Sequence, residues 1–166
     1  LIEGATGELS EITKDNLKMI VDSGKRLANL VNDILDFSKL SEHTIELDQG
    51  AVDLHRLTDI VLSLSRSTVG KKALCLVNEI PENLPFVLAD HNRSQQILFN
   101  LVGNAVKFTP EGSVTVAAKK VSEASVLLSV TDTGIGIVKE KQAIIFQPFE
   151  QADSSSSREY CGTGIG

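Results

Sequence analysis

The stretch Gln96–Lys107, QILFNLVGNAVK, decides how the rest of the chain is interpreted. Its polar side chains are spaced four, four and three residues apart, so they share one face of a helix: Gln96, Asn100, Asn104 and Lys107. The apolar side chains are predicted to lie on the other, core-packed face: Ile97, Leu98, Leu101, Val102 and Val106. Amide oxygens and an ammonium group on such a helix can hold a hydrated Mg²⁺ ion and phosphates. An ordinary solvated helix face has the same spacing, so this stretch alone leaves both interpretations open.

The segments around this helix predict a mixture of helices and strands. Asp53 is a candidate N-cap for a helix with one apolar face: Leu54, Leu57, Ile60, Val61 and Leu64. Alternating or continuous apolar runs predict four strands, over Ala73–Ile80, Pro85–Asp90, Ser113–Val121 and Ser125–Thr131. The last two strands are expected to form a hairpin. The helix that contains the opening stretch is expected to span Asn92–Lys107.

The first forty residues predict a long amphipathic helix. Between Leu17 and Leu40 the apolar residues follow a heptad spacing, with Gly24 in the single gap: Leu17, Ile20, Leu27, Val31 and Ile34. A four-helix bundle formed by dimerisation would bury this seam, and a helix lying on its own globular domain is the alternative. The polar segment Ser41–Gly50 is expected to mark the domain boundary.

The composition excludes several classes of protein. The 166 residues carry a formal net charge of −6 and only 4% aromatic residues, which argues against a nucleic-acid-binding surface. No apolar run reaches the roughly 18 residues needed to cross a bilayer, and no secretory signal is evident, so we expect a soluble chain without membrane contact. Cys75 and Cys161 have no metal-ligand spacing and are too few for a disulfide framework, which favours a reducing, cytoplasmic setting.

Three further motifs follow the polar helix. Segment 132–136, Asp-Thr-Gly-Ile-Gly, comes directly after a predicted strand. A carboxylate there can accept a hydrogen bond from an exocyclic amine such as that of adenine, while the glycines let backbone approach a flat ring; a plain glycine-rich turn is the alternative. Phe146 and Phe149 flank a proline, a pattern typical of a loop anchored to a core that can also act as a hinge. Segment 162–166, Gly-Thr-Gly-Ile-Gly, offers backbone N–H groups to a phosphate.

In this order and combination the motifs resemble those of the two-component sensor histidine kinases, over nearly the whole chain. Segment 27–40 looks like the second helix of the dimerisation and histidine-phosphotransfer hairpin, and segment 100–109, NLVGNAVKFT, is similar to the asparagine box. Segments 132–136, 146–149 and 162–166 match the first glycine, phenylalanine and second glycine boxes. The run 149–160, FEQADSSSSREY, most resembles hybrid-type kinases, which also carry a receiver domain.

The resemblance implies a site for ATP and Mg²⁺. Asn104 would ligate the Mg²⁺ ion, Asn100 would order phosphates and water, and Lys107 would reach the phosphate oxygens. Asp132 would bind the adenine amino group. The implied positions around the base are Gly134, Gly136 and Phe108. Residues 146–166 would form a lid that ends in a phosphate cradle: Gly162, Thr163, Gly164 and Gly166.

The implied fold is α+β, a partial helical hairpin over residues 1–44 followed by an α/β sandwich over residues 45–166, with a mixed sheet covered by helices on one face. Cys161 stands where many family members have another glycine. The phosphoacceptor histidine is expected upstream of Leu1, and the chain stops inside the second glycine box, so we expect a segment of a longer kinase. The three histidines present are interpreted as surface or packing residues: His43, His55 and His91.

The predicted function is transfer of the γ-phosphoryl group of ATP to that upstream histidine and then to an aspartate of a response regulator or receiver domain. The predicted assembly is a homodimer through the hairpin. A related ATP hydrolase would need a glutamate one turn before the magnesium asparagine, and that position holds Asn100. A catalytically inactive nucleotide-binding scaffold is the remaining alternative.

Overall fold

A computed structural model describes residues 9–41 and 46–145, and it divides the chain into two compact units. The described residues of the first unit form one helix, α1 (Glu11–Ser41). Ser10 lies just before it and its Oγ accepts a hydrogen bond from the N–H of Thr13 at 3.2 Å, as expected of an N-cap. Among the described residues, no helix is long and apolar enough to cross a membrane.

Four of the five apolar residues of the predicted seam of α1 are exposed in the single chain, and Leu17 is half-buried. The exposed fraction is 67% for Ile20, 63% for Leu27, 47% for Val31 and 45% for Ile34. A helix with this much apolar surface needs a partner to bury it.

The second unit contains all of the described strands. Its elements in chain order are β1 (Gln49–Val52), α2 (Leu54–Val69), β2 (Leu74–Asn78), β3 (Val87–Asp90), α3 (His91–Phe108), β4 (Gly112–Ser122), β5 (Ser125–Asp132) and the short α4 (Lys139–Gln142). The predicted α+β class is confirmed. Strands β2 and β3 lie within the predicted strands, and β4, β5 and α3 extend beyond their predicted bounds by one residue at one or both ends. Helix α1 begins six residues before the predicted start at Leu17, and no strand was predicted at β1.

The strands form two small sheets. One sheet has the order β2-β4-β5, with β2 parallel to β4 and β4 antiparallel to β5. The predicted hairpin is therefore present. The other sheet pairs β1 with β3 in antiparallel register, from Gln49 opposite Asp90 to Val52 opposite Val87. This second pairing was not predicted from the sequence.

The core lies between the mixed sheet and the helices α2 and α3. Its fully buried members include Leu57 and Val61 of α2, Leu98 and Val102 of α3, and Val114 and Val116 of β4. On β5 the alternating residues Val126, Leu128 and Val130 are half-buried and pack against the same cluster. This confirms the alternation predicted for the hairpin.

Two apolar residues of α2 were predicted incorrectly. Ile60 and Leu64 were expected on the buried face, but they are 47% and 55% exposed. Thr58, Leu62 and Ser65 are buried instead. The centre of the buried face is rotated relative to the prediction because the buried side chains follow Leu54, Thr58, Val61 and Ser65, a spacing that includes two small polar residues.

Asp side chains cap the N-termini of both core helices, α2 and α3. Asp53 Oδ1 accepts a hydrogen bond from the N–H of Arg56 at 3.1 Å, as predicted for an N-cap. Asp90 does the same for the N–H of Arg93 at 3.0 Å, and its Oδ2 also accepts from the N–H of Asp48. This capping bond from Arg93 holds the pKa of the Asp90 carboxyl below its ordinary value.

Candidate functional site

The helix α3 presents its polar stripe to solvent and its apolar stripe to the core. Leu98, Val102 and Val106 are buried as predicted, and Ala105 joins them. Ile97 and Leu101 were expected on the same buried face, but they are 59% and 45% exposed. Their positions on the helix fall between the core stripe and the polar stripe, so they border the stripe of Gln96, Asn100, Asn104 and Lys107.

The two asparagines of this stripe have exposed side chains. Within residues 9–41 and 46–145, neither amide has a hydrogen-bond partner among the contacts of the structure. Their amide oxygens are thus available to a ligand. Lys107, one turn further on, is half-buried, and its Nζ lies 4.9 Å from the centroid of the Phe108 ring.

The carboxyl end of β5 brings Asp132 next to the end of α3. Asp132 is the last residue of the strand and pairs opposite Val114. Its Oδ1 accepts a hydrogen bond from the N–H of Gly134 at 2.8 Å and a longer one from Oγ1 of Thr109 at 3.5 Å. The carboxylate is therefore oriented through one oxygen, and no described residue donates a hydrogen bond to Oδ2.

The backbone after Asp132 packs directly on the carboxyl end of α3. The N–H of Ile135 donates to the carbonyl of Phe108 at 3.3 Å. A Cβ at position 134 would lie 2.5 Å from that carbonyl oxygen and 2.8 Å from both Asp132 Oδ1 and Thr109 Oγ1, so only glycine fits there. Gly136 has a positive φ of 68°, which also favours glycine.

Lys72, which was not predicted as a site residue, contacts the same end of α3 from another side. Its Nζ donates to the carbonyls of Val106 at 2.6 Å, Lys107 at 3.3 Å and Thr109 at 3.3 Å. Lys72 lies two residues before β2. A lysine in a polar turn is too common for sequence alone to show such a contact.

The remaining predicted positions fall into two groups. The phenylalanine pair Phe146 and Phe149 and the cradle residues Gly162, Thr163, Gly164 and Gly166 lie outside the described residues, as does His43. His55 is a packing residue, as expected, since its Nδ1 lies 2.6 Å from the carbonyl oxygen of Ile80. His91 is the exposed first residue of α3.

The described part of the site therefore joins two predicted motifs. The asparagine-bearing helix and the Asp-Thr-Gly turn meet at Phe108, Thr109 and Gly134.

Residues 89–166 match the model of the family described as histidine kinase-, DNA gyrase B- and HSP90-like ATPase, and this part of the chain belongs to that family.

The curated relatives narrow the class. The chain is 38% identical over 169 residues to the circadian input-output histidine kinase CikA of Synechococcus elongatus, covering 100% of this chain and 22% of that protein. It is 38% identical over 164 residues to the signal transduction histidine-protein kinase BarA of Escherichia coli K12, covering 96% of this chain and 18% of that protein. It is 36% identical over 166 residues to the hybrid signal transduction protein dokA of Dictyostelium discoideum, covering 96% of this chain and 10% of that protein. The chain is thus a homologue of sensor histidine kinases, and it spans about a fifth or less of their length.

Solved structures agree with this assignment. Full-length ShkA in complex with AMPPNP superimposes with a TM-score of 0.80 at 34% identity, covering 98% of this chain and 33% of that one. The histidine kinase ThkA in complex with the response regulator protein TrrA gives a TM-score of 0.66 at 28% identity, covering 87% of this chain and 42% of that one. The predicted family and fold are confirmed: the second unit has the ATPase fold of histidine kinases.

Proposed function

We propose that this chain binds ATP with Mg²⁺ between the polar stripe of α3 and the turn formed by residues 132–136, called the Asp132 turn below. We propose further that the chain is the ATP-binding part of a histidine kinase. In this reaction the γ-phosphoryl group of ATP passes to a histidine and then to an aspartate of a response regulator or receiver domain. The observation that carries the proposal is the hydrogen bond from Ile135 N–H to the Phe108 carbonyl, because it fixes the two motifs side by side. The match of residues 89–166 to the ATPase family and the AMPPNP complex of ShkA support it.

Asp132 is the proposed recognition group for the base. The hydrogen bonds to Oδ1 fix the carboxylate plane and leave Oδ2 to accept from the exocyclic amine of adenine. Gly134 and Gly136 bring backbone close to the base because they carry no side chain. The ring of Phe108, whose exposed fraction is 36%, lies at the end of α3 and is proposed to border the base.

Asn100, Asn104 and Lys107 are the proposed phosphate end of the site. The exposed amides fit Mg²⁺, which takes oxygen ligands and retains waters, and we assign the ligand role to Asn104. When bound, Mg²⁺ neutralises charge on the phosphate oxygens. Asn100 orders a phosphate or a water by hydrogen bonding. The Lys107 ammonium, already held over the Phe108 ring, attracts a phosphate oxygen.

Positioning and charge neutralisation are the main tasks of these residues, because phosphoryl transfer needs little covalent chemistry from the protein. A neutral imidazole is a competent nucleophile, so the site needs no carboxylate base. Asn100 fits this requirement, since an amide cannot remove a proton from water as a hydrolase would require. The site is therefore suited to transfer rather than to hydrolysis.

The proposed assembly and setting follow from the first unit and from the relatives. The exposed apolar seam of α1 supports a homodimer in which two copies form a helical bundle. Residues 1–44 are then the proposed dimerisation unit and residues 45–166 the catalytic unit. A response regulator or receiver domain is the proposed protein partner, by analogy with the ThkA complex. The free thiol of the exposed Cys75 suits the reducing cytoplasm.

The test is an autophosphorylation assay with the full-length protein, γ-labelled ATP and Mg²⁺. We expect a label that is acid-labile and base-stable, as a phosphohistidine is. Asn104→Ala should remove this label, whereas the matched control Asn92→Ala, at the exposed start of the same helix, should keep it.

Three results would contradict the proposal. ATP binding without any label would indicate a nucleotide-binding scaffold. Release of inorganic phosphate at the rate of ATP consumption, again without label, would indicate a hydrolase. An equal loss of label in Asn104→Ala and Asn92→Ala would place the phosphate end of the site elsewhere.

A further inference from the structure

A cluster of three main-chain carbonyls at the carboxyl end of α3 is held by one side chain from outside the helix. The Nζ of Lys72 donates hydrogen bonds to the carbonyls of Val106, Lys107 and Thr109, at 2.6 to 3.3 Å. An ammonium group has three N–H donors, so all three are engaged. None is left over for a phosphate.

These contacts counter two electrostatic problems of a helix end. The last carbonyls of a helix have no partner within the helix, and the aligned peptide dipoles place partial negative charge there. Thr109, the C-cap residue, is extended and its side chain is fully buried, so water cannot easily replace the missing partners. The half-buried ammonium group of Lys72 donates hydrogen bonds to these carbonyls and neutralises the partial negative charge at the helix end.

The backbone segment that Lys72 holds also contacts the Asp132 turn, through Phe108. Phe108 lies between Lys107 and Thr109 in the chain, and its own carbonyl accepts the hydrogen bond from Ile135. The same carbonyl lies where a Cβ of residue 134 would clash. Lys72 therefore holds one side of a short backbone segment whose other side sets the position of the turn.

We propose that Lys72 is a positioning residue for the nucleotide site, an inference that rests on the function proposed above. By holding the carbonyls of 106, 107 and 109, it keeps the Lys107 side chain and the Asp132 carboxylate in register with each other. Without it, the last turn of α3 frays and the Asp132 turn loses its packing surface. The distance between the Asp132 carboxylate, which recognises the base, and the Lys107 ammonium group, which binds a phosphate, is then no longer fixed.

The experiment compares three variants of the full-length protein: Lys72→Met, Lys72→Arg and Lys71→Met. Methionine keeps the length and apolar stem of Lys72 and removes its charge and donors. Lys71→Met is the matched control, because Lys71 is the exposed neighbour and has no partner in the described part of the chain. The measurements are the Kd values for ATP and for GTP with Mg²⁺, by calorimetry, and the hydrogen-exchange rate of the Ile135 amide.

Lys72→Met should weaken ATP binding about tenfold, the size of effect expected for losing charge-assisted hydrogen bonds at a helix end. The loss for GTP should be smaller, because GTP offers a carbonyl oxygen where adenine has its amine and gains less from an oriented Asp132 carboxylate. The Ile135 amide should exchange faster. Lys72→Arg should recover most of the ATP affinity, and Lys71→Met should match the parent protein.

The outcomes separate this inference from the function on which it rests. A parent protein that does not bind ATP overturns the proposed function and the inference together. A parent that binds ATP, with Lys72→Met as tight as Lys71→Met, overturns the inference alone. Equal losses for ATP and GTP in Lys72→Met, matching its fraction unfolded, also overturn it, because Lys72 would then serve stability only.

Discussion

Position 134 shows how closely a single residue can be constrained by the backbone around it. An added Cβ would lie 2.5 Å from the Phe108 carbonyl oxygen and 2.8 Å from Asp132 Oδ1. Gly134→Ala should therefore displace the turn, cost about 1 to 3 kcal/mol of unfolding free energy as overpacking does, and weaken ATP binding. Urea denaturation and ATP titration measure the two effects.

Gly103→Ala is the matched control for stability. A Cβ at Gly103 meets nothing within 4 Å, and the residue lies inside α3. Alanine should raise the unfolding free energy by roughly 0.5 to 1 kcal/mol, because it restricts the unfolded chain. A Gly134→Ala protein as stable as Gly103→Ala would show that the turn does not pack on α3 as described.

Asp90 predicts a dependence of stability on acid pH. Its folded-state pKa is below its ordinary value because of the hydrogen bond from the Arg93 N–H. A group with a lowered folded-state pKa stabilises the protein above its unfolded-state pKa, and this contribution is lost as pH falls through the folded-state pKa. Asp90→Asn should therefore lose less unfolding free energy than the parent between pH 5 and pH 3, a range bracketing the ordinary aspartate pKa of about 3.9.

Urea denaturation at several pH values measures this difference. Glu82→Gln is the control, since Glu82 is an exposed carboxyl with no partner among the described residues. It should leave the acid dependence as it is in the parent. The same acid dependence in Asp90→Asn and the parent would exclude Asp90 as its source.

The residue scale also shows what sequence could predict about the site. Asn100, Asn104, Lys107 and Asp132 could be proposed as site residues because the order and combination of their motifs resemble those of a known family. The steric reason for Gly134 and the role of Lys72 were not, because both depend on the carbonyls at the end of α3, which lie far away in the chain. Main-chain atoms carry no sequence pattern.

At the scale of elements, helix α1 exposes more large apolar side chains than any other described element. The seam residue Leu27 is 63% exposed, and Asp22 lies on the opposite face of the same helix. If the seam mediates dimerisation, Leu27→Lys should convert the dimer to a monomer, whereas Asp22→Lys should not. Sedimentation velocity of the two variants distinguishes these states.

Both variants introduce a lysine, and Asp22→Lys changes the net charge of the chain by more than Leu27→Lys does. Net charge alone therefore cannot explain a monomer that is found only for Leu27→Lys. A dimer that survives Leu27→Lys would favour the alternative in which α1 packs on a globular unit of its own chain. Loss of the dimer in both variants would point to charge repulsion rather than to the seam.

The elements also show where apolar spacing misleads. On α2 and α3 alike, two apolar residues assigned to the buried face are exposed: Ile60 and Leu64, and Ile97 and Leu101. Each pair lies at the border of the buried face rather than at its centre. Spacing alone identifies the helix and its approximate orientation, but the width of the buried face depends on which neighbour packs against it.

At the scale of the whole molecule, the division into two units predicts that their stabilities are independent. Leu98→Ala, at a fully buried position in the core of the second unit, should cost about 2 to 5 kcal/mol of unfolding free energy. Ile97→Ala, next to it and 59% exposed, should cost much less. Urea denaturation followed by circular dichroism compares the two variants.

The oligomeric state of Leu98→Ala should be that of the parent, because the substitution is not in α1. A coupled loss of dimer and core stability would show that the two units fold as one. Equal costs for Leu98→Ala and Ile97→Ala would contradict the position of the core.

At this scale the sequence predicted the class and the order of elements from α2 to β5, but neither β1 nor how most of the strands pair. Local alternation indicates a strand and a short turn indicates a hairpin, so β4 and β5 were predictable. The pairing of β1 with β3 and the parallel pairing of β2 with β4 join distant segments. Nothing within either segment specifies its partner.

The parallel pairing of β2 with β4 has a consequence during synthesis of the chain. Leu74 of β2 pairs with Gly112 of β4, roughly forty residues later. At about 5 to 20 residues per second, a ribosome takes roughly 2 to 8 seconds to add that length, during which the segment Leu74–Asn78 has emerged without its partner strand. Because this segment is apolar and prone to pair with other strands, it is the part of the nascent chain that we expect chaperones to bind.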